Sequence, residues 1–222
     1  MKPEARSQRS EAWPALVCFA LQEEAAPFQN IAADRPGIHI LTTGVGRANA
    51  EKSLRGFLAG NSTKHVFTCG FAGGLNPELP LGAVIFDTDD APLSKELAAT
   101  GVKPAKFFCA DRVAITVAEK KHLRAETGAD AVEMESGAIQ AICGELGIPC
   151  ATVRVITDTA NEDLPLDFNQ LAKADLSVDY GKLALALAQA PGRIPALVRL
   201  RKNTNLAAQR LAAVLEKVIW RR

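Results

Sequence analysis

The sequence lacks any apolar run long enough to cross a membrane. Its longest runs, at 15–21 and 183–188, fall well short of the roughly 18 residues that a membrane-spanning helix needs. Residues 1–12 are polar and charged, and no apolar segment precedes a small-residue cleavage site, so we expect no secretory signal. These absences predict a cytoplasmic protein.

Side chains that form disulfides or bind metals are few. The five cysteines are odd in number, include no C-x-x-C pair and lie in apolar surroundings, which is typical of reduced core residues: Cys18, Cys69, Cys109, Cys143 and Cys150. The three histidines are isolated from one another and from every cysteine: His39, His65 and His122. We therefore expect no disulfide framework and no zinc or iron site.

The pattern of apolar residues predicts the fold class. With 222 residues and 48% hydrophobic content, the chain can bury one substantial core. Short apolar runs that predict strands alternate with segments of helical periodicity. The predicted strands are 15–20, 38–43, 65–69, 83–87, 113–117, one at 131 and 149–157, and the predicted helices are 22–31, 48–58, 118–126, one from 135 and those after 166. This alternation predicts an α/β fold of three layers, αβα, around a mostly parallel, mixed central sheet.

Composition changes along the chain predict its organisation. We divide it into a disordered leader at 1–12, an α/β domain at 13–190 and a basic helical extension at 191–222. The segment from 193 onward carries eight basic residues and one acid, a net charge of +7 that leaves −6 for the rest. Its apolar residues form a helical stripe, which either packs on the α/β domain or lies on an anionic membrane surface.

Two well-separated carboxylates lie where buried elements are predicted to end. Glu135 opens a helical pattern, and Asp158 ends an apolar, β-branched run that predicts an interior strand. A charge at the carboxyl end of a central strand is usually placed for a ligand. Alternatively, Glu135 is an acid favoured near a helix N-terminus by the dipole, and Asp158 caps the turn that follows.

The segments around these carboxylates carry a family resemblance. The string V-E-M-E-S-G-A-I at 132–139, followed by G-I-P at 147–149 and V-R-V-I-T-D at 153–158, resembles the nucleoside phosphorylase and nucleosidase superfamily. Members of that superfamily cleave the N-glycosidic bond of purine nucleosides or uridine. The resemblance therefore implies a phosphorylase/hydrolase-like fold.

The resemblance also implies roles for residues in these strings. Asp158 matches the catalytic acid of purine-specific members, which protonates N7 of the departing base, and Glu135 matches the carboxylate that binds the ribose hydroxyls. An acid at a buried strand end can have the raised pKa that the first role needs. The other substrate-binding candidates in these strings are Glu133, Met134, Arg154 and Thr157. Met134 alternatively fills the core, and Arg154 alternatively only pairs with Glu133 or another buried acid.

A third carboxylate favours hydrolysis over phosphorolysis. The string A-L-Q-E-E at 20–24 resembles the Ala-Met-x-x-Glu turn of the methylthioadenosine and adenosylhomocysteine nucleosidases, which implies that Glu24 holds the attacking water. The phosphorylase branch usually carries a Gly-Asp-Pro turn with an arginine, which this sequence lacks. A carboxylate at this position would also repel phosphate. Otherwise Glu24 is a solvated acid near a helix N-terminus.

Two glycine-rich turns complete the predicted pocket. The string G-F-A-G-G at 70–74 matches the Gly-x-Ala-Gly-Gly of the family, with phenylalanine where the hydrolases usually have serine or threonine. We therefore expect three of its residues at the substrate: Phe71, Ala72 and Gly73. The string G-V-G-R at 44–47 contains the candidate phosphate ligands, which would serve a phosphorylase: Gly44, Gly46 and Arg47.

Departures from the family pattern predict a bulky substrate. The segment 87–106 is much shorter than in the family nucleosidases, where it covers the base. The string D-R-V-A at 111–114 matches the base pocket, with Val113 and its small neighbours where bulkier residues are usual. The basic extension resembles that of the hopanoid-associated phosphorylase branch, whose proposed substrate is a lipid-linked adenosine.

We therefore predict an enzyme that hydrolyses an adenine-type purine nucleoside with a bulky or lipid-linked 5′ substituent and that needs no cofactor. Two alternatives stay open: a nucleoside phosphorylase with phosphate as co-substrate, and a non-catalytic binder of a nucleoside or lipid-linked nucleoside. The resemblance implies a homo-oligomer without a nucleic-acid partner. The segment 193–222 is the candidate contact with a membrane surface.

Overall fold

A mixed sheet runs through the centre of the chain. The computed structural model describes residues 15–173, 176 and 179–220, so the predicted leader at 1–12 lies outside the described residues. Within them, eight strands form one sheet: β1 Ala15–Phe19, β2 Ile38–Thr42, β3 His65–Gly74, β4 Val84–Asp87, β5 Lys103–Pro104, β6 Phe107–Cys109, β7 Ala131–Glu133 and β8 Cys150–Asp158. The main order is β2-β1-β3-β8-β4-β5, while β7 pairs with the end of β3 and with β6. Only the β3–β7 and β8–β4 pairs are antiparallel, which confirms the predicted mostly parallel, mixed sheet.

Helices cover both faces of this sheet. They are α1 Gln22–Ala32, α2 Arg47–Leu58, α3 Ala91–Ala99, α4 Val117–Thr127, α5 Ser136–Leu146, α6 Phe168–Leu171, α7 Tyr180–Gln189 and α8 Ile194–Trp220. The alternation of side chains along a strand divides β1 between two cores. Val17 and Phe19 pack with α1, α3 and α8, whereas Leu16 and Cys18 pack with α2 and α5. A strand buried on both faces explains the continuous apolar run at this point of the sequence.

One predicted strand is wrong. Residues 113–116 form a loop, α4 begins at Val117, and the strand in this region is β6. Thr116 caps α4 by accepting a hydrogen bond from the main-chain N–H of Glu119, while the Glu119 carboxylate accepts one from the N–H of Thr116. This capping box favours a helix start over continued strand pairing, and its T-x-x-E spacing is readable in the sequence.

The glycine-rich string at 70–74 is also not a turn, because it continues β3 to Gly74. Residues 70–73 pair with β8, and Gly73 and Gly74 pair with β7. Gly70 has a φ of +151°, and a Cβ there would lie 2.5 Å from Nη1 of Arg154 and 2.6 Å from Oε1 of Glu24. Glycine is therefore required at this position because two charged side chains approach the backbone closely.

The basic C-terminal helix belongs partly to the core. The predicted boundary at 190 falls between α7 and α8, where Pro191–Arg193 form a 3₁₀ turn. One side of the last turns of α8 is buried against α1 and the sheet: Ala207, Ala208, Leu211, Ala212, Leu215 and Val218. Its first turns expose Ile194 and Val198. Membrane contact through 193–222 and the homo-oligomer stay predictions.

Within the described residues, no helix combines the length and the apolar character that crossing a bilayer requires.

The packing of α8 can be tested with two leucines of the same helix. Leu211 is fully buried, so Leu211→Ala should lower the free energy of unfolding by about 2–5 kcal/mol because it leaves a cavity. Leu206 is 50% exposed, and Leu206→Ala should change it by less than about 0.5 kcal/mol. Urea denaturation measures both. Equal losses for the two variants would contradict the packing of this helix on the core.

Candidate active site

A cavity of about 390 Å³ opens at the carboxyl ends of β1, β3 and β8. This edge of a parallel sheet is where ligands bind in open α/β folds. The lining contains ten of the residues predicted from the sequence: Glu24, Phe71, Ala72, Gly73, Val113, Glu133, Met134, Glu135, Thr157 and Asp158. The four other candidates are not part of this lining: Gly44, Gly46, Arg47 and Arg154.

Arg154 lies behind the lining as the centre of a buried charge cluster. Its side chain is 1% exposed, and Nη2 donates hydrogen bonds to Oε2 of Glu133 at 2.5 Å and to Oε2 of Glu135 at 3.3 Å. Burial alone would lower the pKa of Arg154, but Glu133, Glu135 and Glu24 outweigh it, so the pKa lies above the ordinary value. Arg154 is therefore a fixed cation that holds two acids of the site. This geometry fits the alternative in which it pairs with Glu133.

Glu133 uses its carboxylate to hold the turn between β7 and α5. Oε1 accepts from the hydroxyl of Ser136, and Oε2 accepts from the main-chain N–H groups of Glu135 and Ser136 as well as from Arg154. Burial raises the pKa of Glu133, but the guanidinium and the Ser136 hydrogen bonds outweigh this effect and bring it below the ordinary value. The carboxylate thus stays charged and supports its neighbour Glu135.

Glu135 occupies the N-cap position of α5 and faces the cavity. Oε1 accepts from the N–H of Gly46 at 2.9 Å, and Oε2 accepts from Arg154. Burial raises its pKa, while Arg154 and the amide of Gly46 oppose that rise. An ionised carboxylate has about four acceptor positions, so the two oxygens can still accept from a pair of adjacent hydroxyl groups.

Two of the three candidate phosphate ligands have other partners. The N–H of Gly46 is used by Glu135. Arg47 turns toward β6, where Nη2 donates to the carbonyl of Cys109 at 2.6 Å and Nε lies 3.5 Å from Oδ1 of Asp111. It lines a neighbouring cavity of about 360 Å³ and not the one that contains Glu24. The structure therefore does not bring Arg47 into the cavity that Glu24, Glu135 and Asp158 line.

Glu24 is buried in the first turn of α1 and does not face open solvent. Oε2 accepts from the N–H groups of Ala20 and Leu21 at 3.0 and 2.9 Å, and Oε1 accepts from the N–H of Phe71 at 2.7 Å. Burial is the largest effect and raises the pKa of Glu24 to about 7, with Arg154 opposing and Glu135 adding to the rise. A carboxylate with this pKa can accept a proton near neutral pH.

Asp158 ends β8 and is 5% exposed. Oδ1 accepts from the hydroxyl of Thr157 at 3.0 Å, and Oδ2 lies 2.6 Å from Nζ of Lys120. Burial raises the pKa of Asp158, Lys120 and Thr157 oppose the rise, and Glu162 adds to it. The net rise lets Asp158 hold a proton at a higher pH than an ordinary aspartate does, as a general acid requires.

Sequence reasoning missed Lys120, which is completely buried. The signal was present in α4, because Lys120 lies three residues after Val117 and three before Leu123, both of which are partly buried. A lysine on the inward side of a helix is almost never fully buried unless it has a partner. Here that partner is the predicted catalytic acid.

Several apolar side chains also line the cavity. They combine Val113 with residues that the sequence did not single out, Leu164, Phe168 and Leu200. Leu200 belongs to α8, so the basic helix contributes directly to the cavity. Helical periodicity predicted the apolar stripe of α8, but it does not indicate which turn of that helix reaches a site formed by distant strands.

The raised pKa of Glu24 predicts a pH-dependent stability. Between the ordinary pKa of 4.5 and the folded value of about 7, the folded state keeps a proton that the unfolded state releases. Wild-type stability therefore falls as pH rises through this window. The advantage of wild type over Glu24→Gln in free energy of unfolding should shrink by up to about 3 kcal/mol between pH 5 and pH 7.5, measured by urea denaturation.

The matched control for that measurement is Glu23→Gln. Glu23 is the preceding residue of α1 and is exposed, so its replacement should leave the free energy of unfolding unchanged at both pH values. A constant difference between wild type and Glu24→Gln would show that Glu24 does not gain a proton on folding.

Comparison with known proteins identifies relatives of this chain. A family model described as the phosphorylase superfamily matches residues 93–219. An aminodeoxyfutalosine nucleosidase of Campylobacter jejuni is 23% identical over 172 residues, which cover 61% of this chain and 75% of that protein. A 5′-methylthioadenosine/S-adenosylhomocysteine nucleosidase of Shewanella halifaxensis is 23% identical over 182 residues, covering 65% and 79%.

Solved structures show the same fold. The futalosine hydrolase of Helicobacter pylori superposes with a TM-score of 0.71 at 16% identity, covering 95% of this chain and 99% of that chain. The 5′-methylthioadenosine/S-adenosylhomocysteine nucleosidase of Neisseria meningitidis, in complex with methylthio-immucillin-A, gives 0.71 at 18% identity, covering 95% and 100%. At these identities, the likeness confirms the phosphorylase/hydrolase-like fold alone.

Proposed function

The chain belongs to the phosphorylase superfamily, a family of nucleosidases and nucleoside phosphorylases, and we propose that this member hydrolyses the N-glycosidic bond of a purine nucleoside. The observation that carries the proposal is one cavity lined by Glu24, Glu135 and Asp158, with both Glu24 and Asp158 buried and raised in pKa. The curated relatives described above are nucleosidases, named for aminodeoxyfutalosine or for 5′-methylthioadenosine and S-adenosylhomocysteine.

The three carboxyl groups divide the reaction between them. Protonated Asp158 gives its proton to N7 of the purine, while the C1′–N9 bond breaks and its electron pair moves into the base. Glu135 accepts hydrogen bonds from the ribose hydroxyls, and Arg154 favours its carboxylate form, which stabilises positive charge that develops on the sugar. Water then attacks C1′, and Glu24 accepts the proton that this water loses. No cofactor enters this scheme.

The charges around Glu24 support water over phosphate. Glu24 and Glu135 both line the cavity, and the guanidinium of Arg154 behind them is already paired with Glu133 and Glu135. The other guanidinium in the described lining, that of Arg112, is paired with Glu119, so a phosphate dianion would meet these carboxylates without an uncommitted cation there, whereas neutral water would not be repelled. The N–H of Gly46, a candidate phosphate donor, is engaged by Glu135.

We further propose that the 5′ substituent of the substrate is bulky and apolar, as in a lipid-linked adenosine. The cavity lining includes the apolar side chains of Phe71, Leu164, Phe168 and Leu200. These side chains offer no hydrogen bonds, so burying a charged or strongly polar group against them would be costly. An apolar substituent would instead gain about 25 cal/mol for each Å² of surface that it removes from water.

A product assay tests the reaction and the 5′ group together. The panel comprises adenosine, inosine, methylthioadenosine, adenosylhomocysteine and a 5′-alkylated adenosine, each with and without phosphate. We expect free purine and free sugar at a rate that phosphate does not change, and kcat/KM highest for the alkylated substrate. A requirement for phosphate with release of a sugar 1-phosphate would establish a phosphorylase. Binding without base release would establish a non-catalytic binder.

Substitutions of the two titrating acids test their roles. Asp158→Asn removes the proton donor and Glu24→Gln removes the proton acceptor, so each should lower kcat by on the order of 100- to 10,000-fold. The KM of Glu24→Gln should stay near that of wild type because the glutamine keeps the shape of the side chain. Asp111→Asn is the control, since Asp111 has a 91% exposed side chain outside this cavity. Wild-type kcat in either active-site variant would remove that residue from the mechanism.

A further inference from the structure

A buried ammonium group needs an explanation that the reaction scheme above does not supply. Among the described residues, Lys120 is the one lysine that is completely buried. Moving an ammonium ion out of water costs several kcal/mol, which is recovered only when its surroundings supply charge and hydrogen bonds. Lys120 lies in α4, outside the lining of the cavity, so it does not meet the substrate itself.

Three oxygen atoms surround this ammonium group. Nζ donates to the carbonyl oxygens of Thr159 and Glu162, each at 2.8 Å, and lies 2.6 Å from Oδ2 of Asp158. All three neighbours are oxygen atoms, which suits a cation that has donors and no acceptor, and two of the three contacts are hydrogen bonds. The two carbonyls already anchor α4 to the loop after β8. A purely structural anchor would not require the third contact.

The third contact is an ion pair. Within the described part of the chain, Oδ2 of Asp158 has no hydrogen-bond partner of favourable geometry, so the nearby charge of Lys120 is what holds it. Oδ1 is held separately by the hydroxyl of Thr157. The carboxyl group is thus fixed at both oxygens between the end of β8 and α4.

We propose that Lys120 is a positioning residue that orients Asp158 and makes it a stronger acid. This inference rests on the proposed function, in which Asp158 protonates the leaving base. A carboxyl group that is buried without a cation would keep its proton too tightly. A solvent-exposed carboxyl group beside a cation would not hold a proton at neutral pH. Burial and Lys120 act on Asp158 in opposite directions, and the balance suits a group that must hold a proton and then release it.

Few other charged groups act on Asp158. Glu162, from the loop after β8, adds to the rise in the pKa of Asp158, and its carboxylate accepts from the N–H and hydroxyl of Thr159. From β3 and β7, Gly73 and Val132 bring no charge near this carboxyl group. On α4, Arg124 is directed to Asp130 and not to Asp158. Lys120 is therefore the cation that opposes burial at this acid.

The step balances without any further reactant. The O–H bond of Asp158 breaks, an N7–H bond forms, and the electron pair of the C1′–N9 bond moves into the purine. The carboxylate left behind is stabilised by the ammonium of Lys120, which keeps its three protons throughout. Lys120 therefore acts on the reaction only through Asp158.

Lys120→Met tests the proposal because methionine is unbranched, of similar length and uncharged. Removing the cation removes a preference for the carboxylate, so the pKa of Asp158 should rise. The alkaline limb of kcat/KM, where the acid loses its proton, should move up by on the order of 1–3 pH units. The kcat on the plateau should fall about 10-fold because a weaker acid transfers its proton less readily, while KM stays unchanged.

Two further variants separate charge from structure. Lys121→Met makes the same change at the next residue of α4, which is exposed, and should keep the wild-type pH profile. Lys120→Gln keeps a donor for a loop carbonyl but lacks the charge, and should show the same shift as Lys120→Met. It also serves if the methionine variant does not fold. A lowered Tm with an unshifted alkaline limb in the charge-free variants would overturn the proposal and leave Lys120 as a structural anchor.

A measurement that needs no turnover separates this proposal from the proposed function. The carboxyl carbon of Asp158 is titrated by ¹³C NMR in wild type and in the Lys120 variants, with Asp158→Asn identifying its signal. We expect the midpoint to rise by on the order of 1–3 units when the charge is removed. An unchanged midpoint would overturn the role of Lys120 even in an active enzyme. A raised midpoint in a protein that releases no base would instead overturn only the proposed hydrolysis.

Discussion

The ion pair of buried Arg154 with Glu133 and Glu135 is the constraint on which the site depends. A buried cation without its acids would be strongly destabilising, as would the acids without the cation. Arg154 lies in the middle of β8, Glu133 ends β7 and Glu135 caps α5, so the pairing joins three elements at one point. The orientation of the proposed ribose-binding carboxylate therefore follows from charge neutralisation in the core.

The strand β8 carries both Arg154 and the proposed catalytic acid, Asp158. Arg154 and Asp158 are four residues apart on this strand, and its pairing with β3 shifts register between Ile156 and Asp158. At one end Arg154 opposes the rise in the pKa of Glu24, and at the other Lys120 opposes the rise in the pKa of Asp158. In the proposed mechanism, the pKa of each titrating acid is thus raised by burial and lowered by one buried cation. Gly70 permits the close approach of Arg154 and Glu24.

Much of the candidate site could be predicted from the sequence because its residues lie in short, contiguous strings at strand ends. Glu24 and Asp158 reach one cavity because the parallel strands β1 and β8 end at the same edge of the sheet, and β7, which pairs antiparallel with the end of β3, brings Glu135 to the same place. The strand predicted at 113–117 failed because a capping box at Thr116 and Glu119 outweighed a run of β-branched residues. Lys120 was missed because a helical pattern does not show which distant charge an inward side chain will meet.

The alternation of strands and helices, the mostly parallel sheet and the local positions of the three carboxylates are all readable from the order of the amino acids, because they depend on periodicity and on neighbours in the chain. How each charge is neutralised depends instead on the folded arrangement. Lys120 meets Asp158 from another element, and the N–H of Gly46 meets Glu135 across 89 residues of chain. In the folded protein, Arg47 binds the carbonyl of Cys109 outside the cavity, and Leu200 of α8 lines the cavity. The physical reason is that pKa values and ion pairs depend on burial and distance in space, which separation along the chain does not specify.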